Sequence, residues 1–272
     1  VENDISCNGN LDVSGVKIIN NLIVEKDINA NKINSKTIAT SYGQISAGEN
    51  MSAILLTNGK VLTFGQNNYK QLGIGNPHDN YTQIDIPTEV VPDASGHYDR
   101  GNCQEISVGT SHAAILCDGK VMTFGRNNKG QLGINVDDDD DHDGYNTPQL
   151  VKVNDEYNGL NCQAVSCGSN HTAILCDNTV LTFGNNTFGE LGRTDPVWGK
   201  PRNIEYWAEG GSYDDLYNGS DCQAISCGSN YTAILLINGK LMTFGRNHKG
   251  QCGTGTYVGG WVEAPPAKVK EG

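Results

Sequence analysis

The sequence predicts an all-β protein assembled from four copies of one antiparallel unit, and three observations carry that expectation. The tripeptide Thr-Phe-Gly recurs, ending at Gly65, Gly125, Gly184 and Gly245, so the copies are spaced by 60, 59 and 61 residues. A period this regular marks a repeat architecture. A tight-turn dipeptide sits at the same place in every copy: Asn58-Gly59, Asp118-Gly119, Asp177-Asn178 and Asn238-Gly239. Composition agrees, with 34 glycines, 18% charged residues and 7% aromatics, which suits short strands and many turns better than helices or disorder.

The first element of each copy is a short strand of small residues, as in Gln104-Glu-Ile-Ser-Val-Gly109. The second is a run of strand formers such as Ala113-Ala-Ile-Leu-Cys117. The turn follows, because Asn, Asp and Gly tolerate the positive φ that a hairpin between right-twisted strands requires. Asp177-Asn178 replaces Asp-Gly in the third copy and should still turn, since Asn accepts positive φ. The third element is the returning strand, Val61-Leu-Thr-Phe64 and its equivalents.

Beyond each Leu-Gly the copies diverge, yet Gly73 to Gln104, Gly133 to Gln163 and Gly192 to Gln223 span 31, 30 and 31 residues. Free loops drift in length, so these segments are expected to be anchored. Ile86-Pro-Thr-Glu-Val-Val91 and Thr147-Pro-Gln-Leu-Val-Lys-Val153 read as a fourth, outer strand, where an edge position tolerates Pro. Val262 to Val269 reads as the last of these strands. Four strands in about 60 residues make one propeller blade. The predicted fold class is therefore a β-propeller of four antiparallel blades over 43–272, preceded by a short β-rich stalk or leader over 1–42.

The string best seen from Gly109 to Gly133, with Ser111-His112, Asp118-Gly119, Phe124-Gly125, Asn127 and Gly130-Gln-Leu-Gly133, resembles the repeat of the regulator-of-chromosome-condensation family of β-propellers. The resemblance extends over residues 44 to about 265. This chain keeps Phe64, Phe124, Phe183 and Phe244 where the family usually has Trp, and Lys70 where Gly130 and Gly250 stand. The resemblance implies the fold. Function differs among members, which include an exchange factor for a small GTPase, ubiquitin-ligase modules and a secreted β-lactamase inhibitor. Members commonly close seven blades; here a four-bladed ring, an open ring and degenerate further blades compete, and the repeat count favours four.

In the leader, Asn10-Leu-Asp-Val13, Asn21-Leu-Ile-Val24 and, more loosely, Lys32-Ile-Asn-Ser35 recur at a spacing of 11. Such doublets resemble the stalks of viral fibres, whose strands must stack or trimerise to bury an apolar face. An ordinary extended leader fits equally well. A net charge of −12 argues against nucleic acid, and no apolar run approaches the length that spans a bilayer.

The nine cysteines form no C-x-x-C pair. They read either as small buried hydrophobes or as disulfides between neighbouring repeats. His112 and His171 share a slot with Met51 and Tyr231, so that slot serves packing or hydrogen bonding rather than catalysis. Asp139, Asp141 and Asp143, followed by Gly144, open like a calcium loop, but position twelve is Leu150 and not Glu. A solvated acidic loop accounts for them; an ion held there would be calcium, and no other cofactor is expected. Of six sequons, at Asn50, Asn80, Asn170, Asn185, Asn218 and Asn230, those at Asn50, Asn170 and Asn230 share a repeat slot, while Asn80 and Asn218 lie in variable segments and are the plausible acceptors. Trp198, Tyr206, Trp207, Tyr213 and Tyr217 concentrate in the third variable segment beside Asp195, Asp214 and Asp215. They suit a protein or glycan contact, or the cover of a blade edge.

No Ser/His/Asp or Cys/His set lies outside the repeat slots, so the expectation is a non-enzymatic binding or structural module. The favoured setting is a virion or other extracellular surface, with the head on an oligomerising, trimeric stalk. An intracellular (cytoplasmic) regulator such as a small-GTPase exchange factor, and a capsid or scaffold component, are the alternatives.

Overall fold

The computed structural model describes residues 43–75, 82–93, 95–134, 144–152, 154, 157–193, 199–204 and 220–253, and the backbone of Glu263–Lys268. All of them belong to the unit Ser41–Gly272, so the stalk or leader expected over 1–42 lies outside the described residues.

Each copy of the repeat forms one four-stranded antiparallel sheet with strands in chain order. Blade 1 is β1 (Gln44–Ala47), β2 (Met51–Leu55), β3 (Val61–Gln66) and β4 (Gln83–Glu89). Blade 2 is β5 (Cys103–Val108), β6 (His112–Cys117), β7 (Lys120–Gly125) and β8 (Tyr145–Leu150). Blade 3 is β9 (Cys162–Cys167), β10 (His171–Cys176), β11 (Thr179–Gly184) and β12 (Arg202–Asn203). Blade 4 is β13 (Cys222–Cys227), β14 (Tyr231–Leu236), β15 (Leu241–Arg246) and β16 (Glu263–Lys268). The outer strands fall close to where the Pro-containing segments placed them, though β12 is only two residues long.

The turns divide into two kinds. Asp118 and Gly119 have φ of 50° and 74°, and Asp177 and Asn178 have 51° and 61°, as a two-residue hairpin requires. In blades 1 and 4 only Gly59 and Gly239 are left-handed. There Leu56 N donates to Lys60 O and Gly59 N to Leu56 O, giving a longer turn in which the glycine closes a bulge.

The string that recurs in each repeat is a set of clamps. The Thr63, Thr123 and Thr182 hydroxyls donate to the carbonyls of Leu72, Leu132 and Leu191 at 2.6, 2.7 and 2.8 Å. The Asn67, Asn127 and Asn186 side chains accept from the amides of those same leucines. Each Leu is thereby buried, and the glycine after it turns left-handed, with φ of 64° to 66°. A Cβ on Gly73, Gly133 or Gly192 would lie 2.7, 2.8 or 2.9 Å from the ring of Phe124, Phe183 or Phe244 in the next blade. Phenylalanine of one blade thus seats on glycine of the blade before it.

Three hydrophobic cores result, one in each seam between successive blades. The variable segments are anchored as expected: Val90, Val151 and Ile204 are fully buried just past the outer strands. Tyr98 and Tyr157 are buried on the way to the next blade, and Tyr98 Oη accepts from Val61 N at 3.3 Å.

The cysteines correct one expectation. Cys103–Cys117 and Cys162–Cys176 are disulfides within a blade, joining the first strand to the second, and no disulfide joins neighbouring repeats among the described residues. Position explains it: these cysteines are cross-strand partners in the sheet. Cys222 holds the same slot in blade 4, but its partner position is Leu236, so it stays a buried thiol.

Candidate functional site

Within the seams, the titratable groups serve the fold. His112 Nε2 lies 2.9 Å from Thr172 Oγ1 in the next blade, and His171 Nε2 lies 3.0 Å from Thr232 Oγ1. Each Thr hydroxyl already donates, to Gln131 O and Glu190 O respectively, so it must accept from the histidine. Both rings therefore carry their proton on Nε2, and both Nδ1 atoms are buried without a partner. Burial pushes the His112 pKa down to about 4; it pushes His171 down to about 3, with neighbouring His112 adding to the effect. Neutral, enclosed and committed to a seam, neither is a general base.

The thiols are equally quiet. Burial raises Cys167 to about 12 and Cys222 and Cys227 to about 11, far from the range of a reactive thiolate. Among the described residues no group of His, Cys, Asp and Glu is placed to hold a metal.

A ladder of side chains joins the inner strands of successive blades. Val108 N donates to Ser46 Oγ, Cys167 N to Ser107 Oγ and Cys227 N to Ser166 Oγ, at 3.1, 2.9 and 2.8 Å. Gln44 and Glu105 add bonds from Ile106 N and Val165 N. Burial pushes the Glu105 pKa up, while the Val165 amide opposes the shift.

The ladder stops at both ends. No backbone hydrogen bond joins blade 4 to blade 1 among the described residues. Ile45 is 81% exposed, whereas Ile106 and Val165 in the same slot are 2% and 4% exposed. Leu241 is 39% exposed, against complete burial of Val61, Val121 and Val180. A ring closed by these four blades, the arrangement the repeat count favours, is not what the described residues form; among them, each end blade has no neighbouring blade on one side.

On blade 1 this leaves a groove of about 690 Å³, lined by Asn50, Gln66, Asn68, Thr82, Ile84 and Asp85 among others. The equivalent place on blade 2 is filled by polypeptide. There Gly75 N of blade 1 donates to Asn146 O at 2.8 Å, and Arg126 stacks over the Tyr69 ring at 4.1 Å. The groove thus corresponds to the place on blade 2 that the edge of blade 1 covers, and it carries amides, one carboxylate and one aliphatic side chain.

The residues expected to bind a ligand, Trp198, Tyr206, Trp207, Tyr213 and Tyr217, lie outside the described residues, as do Asp139, Asp141 and Asp143 of the acidic loop. Sequence reasoning passed over the groove because none of its residues is chemically unusual. Of the recurrent sequons, Asn50 lines it.

Comparison with known proteins places this architecture. Residues 58–116 and 118–175 match the model described as "Regulator of chromosome condensation (RCC1) repeat". Residues 44–71, 162–190 and 222–251 match a second model of that description. Human "Probable E3 ubiquitin-protein ligase HERC3" is 30% identical over 233 residues, covering 82% of this chain and 19% of its own length. The chain therefore spans about a fifth of that relative. Among solved structures, human WBSCR16 overlays with a TM-score of 0.65 at 21% identity, over 92% of this chain and 58% of its own. Prp20p of Saccharomyces cerevisiae gives 0.57 at 23% identity, over 83% and 50%. The repeats, their clamps and these matches agree: the chain belongs to the RCC1 repeat family of β-propellers.

Proposed function

We propose that this chain is a non-catalytic protein-binding part of an intracellular regulator. The observation that carries the reading is the blade 1 groove, whose counterpart in blade 2 already holds a stretch of polypeptide. Supporting it, the titratable groups buried in the seams are absorbed by the fold, which leaves surface rather than reactivity for function. The family resemblance points the same way, since the Prp20p structure is described together with that protein's binding to Gsp1p and histones. For this chain the corresponding partner classes are a small GTPase and a basic protein, the latter suited to a net charge of −12.

The test is binding of purified small GTPases, loaded with a fluorescent GDP analogue, and of core histones to the immobilised chain. It should be run beside an Ile84→Glu, Asp85→Lys variant. Binding that the variant weakens about ten-fold or more supports the reading. Binding of neither class, or equal binding by the variant, overturns it.

One observation favours a second reading. The Cys103–Cys117 and Cys162–Cys176 disulfides suit an oxidising compartment, and with it an extracellular or virion-surface role in which the Trp198–Tyr217 segment meets a glycan. A glycan array showing specific, Trp207-dependent binding would move the conclusion there.

A further inference from the structure

The two open ends of the blade row are complementary halves of a seam that the chain builds three times internally. On the blade 4 side, Ser226 is the next hydroxyl in the series Ser46, Ser107, Ser166; it is exposed, and among the described residues no blade follows it. On the blade 1 side, Ile45 and Ala47 are exposed and occupy the slots whose amides, in Ile106 and Val108, donate to the preceding blade.

The shapes match as well. Gly253, with φ of 63°, repeats the glycine that receives a phenylalanine from the next blade at Gly73, Gly133 and Gly192. Among the described residues Phe64 is the one repeat phenylalanine with no such glycine before it, and it is only half-buried, while Phe124, Phe183 and Phe244 are fully buried. Leu235 and Leu241 offer blade 4's apolar face; Ile54 and Leu62 offer that of blade 1.

The rim adds a selective feature, because its seams alternate. Tyr69 of blade 1 meets Arg126 of blade 2, and Phe188 of blade 3 meets Arg246 of blade 4 at 5.1 Å. Between blades 2 and 3 the same slots hold Lys129 and Asn185. Blades 1 and 3 thus share one type, and blades 2 and 4 the other. The blade that follows blade 4 should carry an amide opposite Lys249, and Gln66 of blade 1 is that amide. The groove on blade 1 completes the fit, since it is the place where the preceding blade's rim segment sits in the internal seams.

We propose that the blade 4 end of one copy docks on the blade 1 end of a second copy, so that chains associate head to tail through a fourth version of the internal seam. The proposal deepens the protein-contact reading of the groove by naming the partner. A head-to-tail contact of this kind closes if the rotation between copies allows and extends if it does not.

Sedimentation velocity of the 272-residue chain tests it, with Ile45→Glu and Leu241→Glu as variants. Both side chains are exposed, and unchanged circular dichroism shows that the blades are kept. The wild type should move from 29.2 kDa to larger species as concentration rises. Each variant alone should stay at 29.2 kDa, and an equimolar mixture should recover a one-to-one pair, because each retains the half the other lost. A wild type that stays monomeric overturns the proposal, as does a mixture that fails to pair. A monomer that still binds a foreign protein through the groove overturns only the choice of partner, and leaves the protein-binding reading standing.

Discussion

Acid should open the seams before it protonates most surface carboxylates. His112 and His171 are enclosed between blades, donate from Nε2 to the next blade and have no partner at Nδ1. Their folded pKa values, about 4 and about 3, lie below the ordinary histidine value. Protons are therefore taken up by the unfolded chain and refused by the folded one as pH falls below about 6.5. Stability contributed by the neutral rings is fully present above that value and is lost as pH falls toward the folded pKa values. At pH 5 the linkage amounts to about 2 kcal/mol per histidine, or about 4 kcal/mol for the pair. That is a large part of the stability of an ordinary domain. The assay is urea unfolding, followed by circular dichroism at pH 7 and pH 5 with disulfides intact. The comparison variant is His112→Met, His171→Tyr, which installs the residues blades 1 and 4 use in that slot. The wild type should lose about 4 kcal/mol between the two pH values, and the variant less than about 1. Equal losses in both proteins would refute the assignment of these rings as buried neutral donors.

Other perturbations follow from the repeat. Lys70 holds φ of 63° in a slot filled by Gly130, Gly189 and Gly250, so Lys70→Gly should stabilise by about 1 kcal/mol in the same urea assay. Gly133→Ala places a methyl group 2.8 Å from the Phe183 ring at a left-handed φ of 65°. Together these should cost more than about 2 kcal/mol. Thr123→Val leaves the buried Leu132 carbonyl without its hydroxyl donor and should cost about 1 to 3 kcal/mol. Alkylation in denaturant without reductant should label Cys167, Cys222, Cys227 and Cys252 and spare Cys103, Cys117, Cys162 and Cys176, as read by peptide mass.

Much of the blade was legible because its causes are local. Thr63 and Asn67 lie nine and five residues from the Leu72 they clamp, and Gly73 follows it, so their spacing survives in every copy and can be read directly. The slot shared by His112, His171, Met51 and Tyr231 was likewise readable as packing. What lay beyond the sequence depends on neighbours. Ile45 and Ile106 are the same residue in the same slot, yet one is exposed and the other buried, because a blade precedes only the second. The groove arises in the same way, from having no blade before it among the described residues rather than from distinctive side chains. The disulfides required knowing that Cys103 and Cys117 face each other across two strands, which depends on register. Register also bears on Tyr217, which stands five residues before Cys222 just as the buried Tyr98 and Tyr157 stand before Cys103 and Cys162. A tyrosine chosen for a ligand thus shares its repeat position with two that serve packing.

Among the described residues three seams are closed and the row's two ends are open, and amide hydrogen exchange in dilute solution reads this residue by residue. Val108, Cys167 and Cys227, each bonded to a serine of the preceding blade, should be strongly protected, while Ala47 in the same slot exchanges freely. Protection of Ala47 equal to that of Val108, at a concentration where the chain sediments as a monomer, would mean that blade 4 closes on blade 1 within one molecule and would contradict the account.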